Sequence, residues 1–246
     1  MHTLELLPFT DPWLYAWMAA LILGSAFLQG VGGVGFTMFS APVAAIVCPE
    51  LVPGPLLMLG GCVTFLTAVR EYKNISWSAA GSALAGRVVG SLIAVVALAQ
   101  LSQRPLNFLF AAMILLAVGM SVAGLRIVAN RRNVTIAGVL SGVMGTLTSV
   151  GAPPLVIAMQ RFAPPTLRAT TGVILFFGSM FSLSVLAIAG YFGVRELLLG
   201  ASMVPFMLLG FWASGRLRQK VSAGMLRRVL LAFCALSAIG LILKNL

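Results

Sequence analysis

The stretch GVLSGVMGTLTSVGAPPLVI, residues 138–157, is apolar enough to lie in a bilayer, yet Gly142, Gly145, Gly151, Pro153 and Pro154 interrupt it. Glycine and proline break helices. A second cluster of the same kind, GVGGVGFTMFSAP at residues 30–42, places Gly30, Gly32, Gly33 and Gly35 inside the first apolar run. Unpaired backbone at membrane depth is tolerated only where it is buried in protein or lines a polar cavity. The two clusters therefore read as broken helices that mark a site.

The rest of the chain supplies the bilayer. Hydrophobic residues make up 60% of the 246 and charged residues 9%, against roughly 25% charged in a soluble domain. Apolar runs fall near residues 13–47, 51–69, 76–101, 106–128, 134–160, 167–191, 197–214 and 226–243. Residues 1–12 contain no Lys or Arg, so the basic region of a cleaved signal is missing and the first run is expected to be retained. The net charge of +11 belongs mostly to short loops, where membrane topology explains it and nucleic-acid binding is not needed. Cys48, Cys62 and Cys234 have no metal-ligand spacing and the single histidine is His2. No metal, cofactor or disulfide framework is expected, and the cysteines read as small packing residues.

Orientation depends on how the broken runs are threaded. If all eight runs cross, the two sides receive seven Lys/Arg (Arg70, Lys73, Arg126, Arg131, Arg132, Arg195, Lys244) and eight (Arg104, Arg161, Arg168, Arg216, Arg218, Lys220, Arg227, Arg228), with no bias. If runs one and five instead return to the side they entered from, one side holds twelve (Arg70, Lys73, Arg126, Arg131, Arg132, Arg161, Arg168, Arg216, Arg218, Lys220, Arg227, Arg228) and the other three (Arg104, Arg195, Lys244). Only the second arrangement satisfies the positive-inside rule. Length agrees for run five, whose 27 residues from 134 to 160 fall short of the about 40 that two crossings need. Run one, broken or re-entrant, is long enough to be ambiguous.

Each half then holds one hairpin and three crossings. That odd count makes the second half an inverted copy of the first, an arrangement common in transporters. GRVVG at residues 86–90 parallels GFWASG at 210–215, and the repeat spacing of roughly 115 to 125 residues points to duplication. The expected fold is an all-α integral membrane protein, with a first repeat at 1–128 and a second, inverted repeat at 129–246.

At the breaks, helices restarting near Phe36 and Pro153 would turn amide groups and a partial positive dipole toward a cavity, making an anion site. Gly32, Gly33, Gly35, Phe36, Thr37, Thr148, Ser149, Gly151 and Pro153 are the candidate binding residues there, with Ser40 offering a further hydroxyl. Glycines that merely allow close helix packing are the plain alternative. Arg87 joins the candidates because it lies eleven residues after Ser76, about 16 Å into its run at 1.5 Å per residue, too deep to snorkel easily. No Asp or Glu lies in an apolar core to pair with it, which leaves a bound anion or helix carbonyls. Hydroxyls at Thr64, Thr67, Thr170, Thr171 and Ser179 most simply bond their own helices. Missing intramembrane acids and histidines also argue against a proton or sodium antiporter of the buried-carboxylate type and against a lipid-modifying enzyme. No catalytic residue is expected.

The motifs GVGGVGFTMFSAP (30–42), NISWSAAGSALAGRVVGS (74–91) and GVLSGVMGTLTSVGAPPLVI (138–157) together resemble the TauE/SafE, or sulfite exporter, family over nearly the whole chain. The resemblance implies an ATP-independent permease of the bacterial cytoplasmic membrane for sulfite, sulfonates such as sulfoacetate, or related small anions. The expected partners are a small anionic substrate and the lipid bilayer, with no nucleic acid, and the reading is compatible with a homodimer. Arg87 is not matched to the family pattern, and Phe211 stands at its place in the second half. An anion channel, or the membrane subunit of an uptake complex, is the competing reading.

Overall fold

The computed structural model describes residues 11–100 and 127–217 and, between them, only 108–109, 112–113, 115–116 and 119. Among these residues all regular structure is helical. We number the helices α1 (Pro12–Gly32), α2 (Phe36–Val47), α3 (Gly54–Arg70), α4 (Trp77–Gln100), α5 (Arg131–Thr148), α6 (Ala152–Ala158), α7 (Pro164–Ile188) and α8 (Val194–Leu217). The expected apolar run at 226–243 lies outside the described residues, and so does most of the run at 106–128.

Local sequence sets the helix starts. Asp11 accepts the Trp13 amide at 2.9 Å ahead of Pro12, and Asn130 accepts the Asn133 amide at 2.8 Å to open α5, both satisfying N–H groups that a helix start leaves unpaired. The first apolar run breaks between α1 and α2, and the fifth between α5 and α6. The breaks are narrower than the glycine clusters suggest. Gly30 and Gly32 still belong to α1, and Gly142 and Gly145 to α5. What breaks the chain is residues 33–35, with φ of 79° at Gly33 and 136° at Gly35, and residues 149–151, with Ser149 at φ 64°. Such positive φ values are costly for a residue with a Cβ, so glycine is the natural occupant of the first break.

The helical glycines serve packing instead. α4 and α5 run side by side in the same direction: Gly138 backs onto Ala83, Gly86 onto Thr135, and Gly142 onto the Arg87 carbonyl and Ser91. α1 and α8 do the same, with the Tyr15 hydroxyl donating to the Ser202 carbonyl at 3.2 Å, Gly210 against Leu23, and Gly30 against Phe211 and Ser214. α3 and α7 run antiparallel. Arg168 near the start of α7 pairs with Glu71 just after α3 at 2.7 Å, while Gly172 touches Thr64 and Ala68, and Gly61 touches Ser179. A missing Cβ lets backbones approach, which is how helices associate where lipid offers no hydrophobic drive.

These contacts locate the chain ends. The end of α3, the start of α4 and the start of α7 meet at one end of the bundle, where the Ser76 amide also donates to the Thr170 hydroxyl at 3.0 Å. The opposite end gathers the start of α3 beside Phe192, the end of α4, whose Leu98 carbonyl accepts from the Tyr191 hydroxyl at 3.1 Å, and the Glu50–Arg195 pair at 3.0 Å. α5 starts where α4 starts, and the chain is back at that end when α7 begins. α1 starts where α8 starts and returns there for α3. Each broken segment thus comes back to the end it left, and the two do so from opposite ends.

Four described helices, α1, α4, α7 and α8, are long and apolar enough to cross a bilayer, and α3 has 17 residues, the lower limit for a span. Their outer faces expose Val89, Leu92, Ile93, Val96, Phe177 and Leu209. Aromatic side chains are exposed near both ends: Trp13 (78%) and Trp17 at the start of α1, Tyr72 and Trp77 (66%) before and at the start of α4. That is the interfacial belt of a membrane protein. Cys48 is buried and Cys62 half-buried, both against the main apolar core.

Candidate functional site

Arg87 projects from the middle of α4 and is 1% exposed. Its Nη1 donates to Ser141 Oγ at 2.6 Å, and that hydroxyl donates in turn to the Gly151 carbonyl at 2.6 Å. Ser141 therefore ties the guanidinium to the backbone of the second break. Three glycines make the space. A Cβ on Gly145 would lie 2.9 Å from Nη2, one on Gly151 would lie 2.8 Å from Nη1, and one on Gly178 would collide with Nε and Cδ. Nε is buried without a hydrogen-bond partner. An arginine carries five N–H donors and no acceptor, and no described carboxylate meets this one.

One turn along α4, Ser91, Thr146 and Ser182 close a ring of buried hydroxyls at 2.8 to 3.0 Å. The ring satisfies its own members and clasps α4, α5 and α7 together.

The first break is held by a residue not anticipated from the sequence. Gln29 Nε2 donates to the Gly33 carbonyl at 2.8 Å, and its Oε1 accepts the Phe36 amide at 3.1 Å. One buried side chain thus satisfies both lips of the break. The Phe36 amide, expected to face a cavity, is already taken. Pro153 and Pro154 sit in the first turn of α6 and have no N–H to offer. The helix restarts consequently present fewer free amides than expected, and Arg87 is the principal positive group.

A small cavity of about 20 Å³, room for a water-sized molecule, joins these parts. Gln29, Gly35, Phe36 and Thr37 line it from the first break, and Ser149 and Ala152 from the second. Gly60 and Thr64 of α3, Ser179 of α7 and Arg87 complete the polar lining, with Leu57 and Leu175 as apolar walls. Five of the ten expected binding residues meet there: Gly35, Phe36, Thr37, Arg87 and Ser149. Gly151 lies behind the guanidinium rather than on the cavity. Gly32 ends α1, and Gly33 packs on the Arg168 side chain. Thr148 turns its hydroxyl to the Met144 carbonyl at 2.8 Å and accepts the Val150 amide at 3.2 Å, while Pro153 is buried in α6. Ser40, Thr64, Thr67 and Thr171 bond carbonyls of their own helices. Gly178, Ser141 and Gln29 were legible only as ordinary helix residues, because Ser141 meets Arg87 from 54 residues away in the chain and the amide that Gln29 accepts lies across a break.

Phe211, which the sequence comparison of the two halves sets opposite Arg87, is buried against Gly30 and takes the Arg70 guanidinium over its ring at 4.4 Å. The one charged side chain lining the cavity therefore comes from α4.

Membrane helices, two breaks that share one cavity and, among the described residues, a single fully buried cation beside them are the frame of a membrane transport protein. Residues 17–241 match the sulfite exporter TauE/SafE family, and the chain belongs to it. No curated protein and no solved structure matches the chain.

Proposed function

We propose that the chain is a secondary carrier of small sulfur oxyanions, sulfite or sulfonates, across the cytoplasmic membrane of a bacterium, and that the Arg87 cavity is its binding site. The observation that carries the reading is Arg87 itself: a fully buried guanidinium with, among the described residues, one neutral acceptor, an orphaned Nε and no carboxylate. A buried charge without a partner is strongly disfavoured, and intramembrane ions mark substrate pathways. A small oxyanion supplies the missing partner, and the Ser179, Thr64 and Thr37 hydroxyls and the positive end of α2 lie around the same space.

The proposed mechanism is alternating access between residues 1–128 and 129–246 as inverted repeats. Its supports are the antiparallel α3 and α7, the matched pairings of α1 with α8 and of α5 with α4, and the return of each broken segment to opposite ends. In that topology the end carrying Arg70, Lys73 and Arg168 faces the cytoplasm. Two ion pairs join the halves, Glu71–Arg168 at that end and Glu50–Arg195 at the other, and rocking would strain them in turn.

Counterflow tests the proposal. Proteoliposomes loaded with unlabelled sulfite should accumulate labelled sulfite transiently and saturably, and Arg87→Glu should abolish this while leaving insertion intact. Linear, non-saturable flux would point to a channel; unchanged counterflow in Arg87→Glu would remove Arg87 from the site.

A further inference from the structure

Resting on the reading of the Arg87 cavity as an anion site, we infer that this site selects its substrate by charge, taking singly charged oxyanions and rejecting doubly charged ones. The cavity holds one formal charge, the Arg87 guanidinium; every other side chain lining it is neutral. A further cation next to a break, Arg168, whose stem packs on Gly33, is already matched by Glu71 through Nε and Nη2 at 2.7 to 3.2 Å. The positive end of α2 adds a fraction of a charge at most, and the Gln29 oxygen has claimed its first amide. The second break adds the Ser149 and Ala152 backbone but two prolines follow directly.

A monoanion brought beside Arg87 makes a neutral pair. A dianion leaves one negative charge unmatched at membrane depth, where water does not screen it. The donors left over agree with a compact oxyanion head. Nε and Nη2 have no protein acceptor, and the guanidinium fork binds two oxygens of such a head. Sulfite would then pass as hydrogensulfite, picking up its proton before entry, and a sulfonate without a second acid group would pass as it is, whereas sulfoacetate, with its carboxylate ionised, would be rejected. The loaded cavity would carry no net charge and the empty one a single positive charge.

The test uses the unmodified full-length protein in proteoliposomes, with labelled sulfite counterflow as the tracer and unlabelled methanesulfonate, sulfate and sulfite as competitors. Methanesulfonate keeps one charge at every working pH and sulfate keeps two, whereas sulfite passes from one to two as pH rises. Methanesulfonate should compete at least about tenfold more strongly than sulfate, a difference of about 1.4 kcal/mol. The apparent affinity for sulfite should fall as pH rises through its second ionisation, while inhibition by methanesulfonate stays flat. Sulfate competing within about threefold of methanesulfonate, or a flat sulfite profile, overturns charge selection but leaves the anion site standing. Arg87→Lys, which keeps the charge and loses the fork, should bind more weakly with the same preference; equal acceptance of sulfate by that variant also overturns the inference. Arg87→Gln protein with parental counterflow would instead sink the site itself, and the charge rule with it.

Discussion

Gly178 lies where α7 crosses the Arg87 guanidinium, and a single methyl there should disable the site without removing any polar group. A Cβ on Gly178 would coincide with Nε and overlap Cδ. The guanidinium has nowhere to retreat, since Ser141 holds Nη1 at 2.6 Å and Gly145 and Gly151 wall it at 2.9 and 2.8 Å from their own would-be Cβ atoms. Overpacking of this kind costs about 1–3 kcal/mol. If the side chain swings aside it also gives up the Ser141 bond, which inside a membrane adds about 0.6 kcal/mol on average. Taking about 1 to 3 kcal/mol as the loss in anion binding, Gly178→Ala should raise the KM for sulfite counterflow about five- to 150-fold. Gly24→Ala is the matched control, because nothing lies within 4 Å of its Cβ. The assay is counterflow in proteoliposomes, with thermal unfolding in detergent run beside it. Gly178→Ala matching Gly24→Ala in both KM and unfolding midpoint would refute the packing argument and the placement of Arg87 that rests on it.

Other expectations concern the breaks and the bridge between the halves. Gln29→Leu leaves the Gly33 carbonyl and Phe36 amide buried without partners, and at about 1–3 kcal/mol for each orphaned group it should lower the thermal midpoint in detergent more than Ser82→Ala, which removes only an exposed hydroxyl. Gly33→Ala places a Cβ at φ 79° against the Arg168 stem; the conformation alone costs about 1–2 kcal/mol, so an unfolding midpoint equal to the parent's would contradict the break geometry. Glu71→Gln weakens a half-buried, two-pronged pair with Arg168, with side chains 12% and 21% exposed. Partial exposure reduces the loss to about 1–2 kcal/mol, and the parent, not the variant, should lose stability as salt is raised.

Much of this was readable from sequence because the bilayer imposes few solutions. Apolar runs and Lys/Arg placement suggested broken hairpins at residues 13–47 and 134–160, and the helix breaks at residues 33–35 and 149–151 fall inside those two runs. Composition could not say which glycine breaks a helix and which packs one. Gly142 and Gly151 look alike in sequence, yet one faces the α4 backbone and the other opens α6. Depth and the absence of acids singled out Arg87. Its neighbours Ser141 and Gly178 were hidden because their roles exist only across the interfaces of α4 with α5 and α7. The expected free amides at Phe36 and Pro153 failed for local reasons: a glutamine seven residues earlier caps the first, and proline has no N–H.

The most direct test of the account is equilibrium binding of radiolabelled sulfite to the purified protein in detergent, parent beside Arg87→Gln. The cavity predicts one saturable anion per chain, lost in Arg87→Gln while the variant stays monodisperse and folded. Undiminished binding to a folded Arg87→Gln protein would mean that the anion sits elsewhere and that the cavity between the two breaks is not its site.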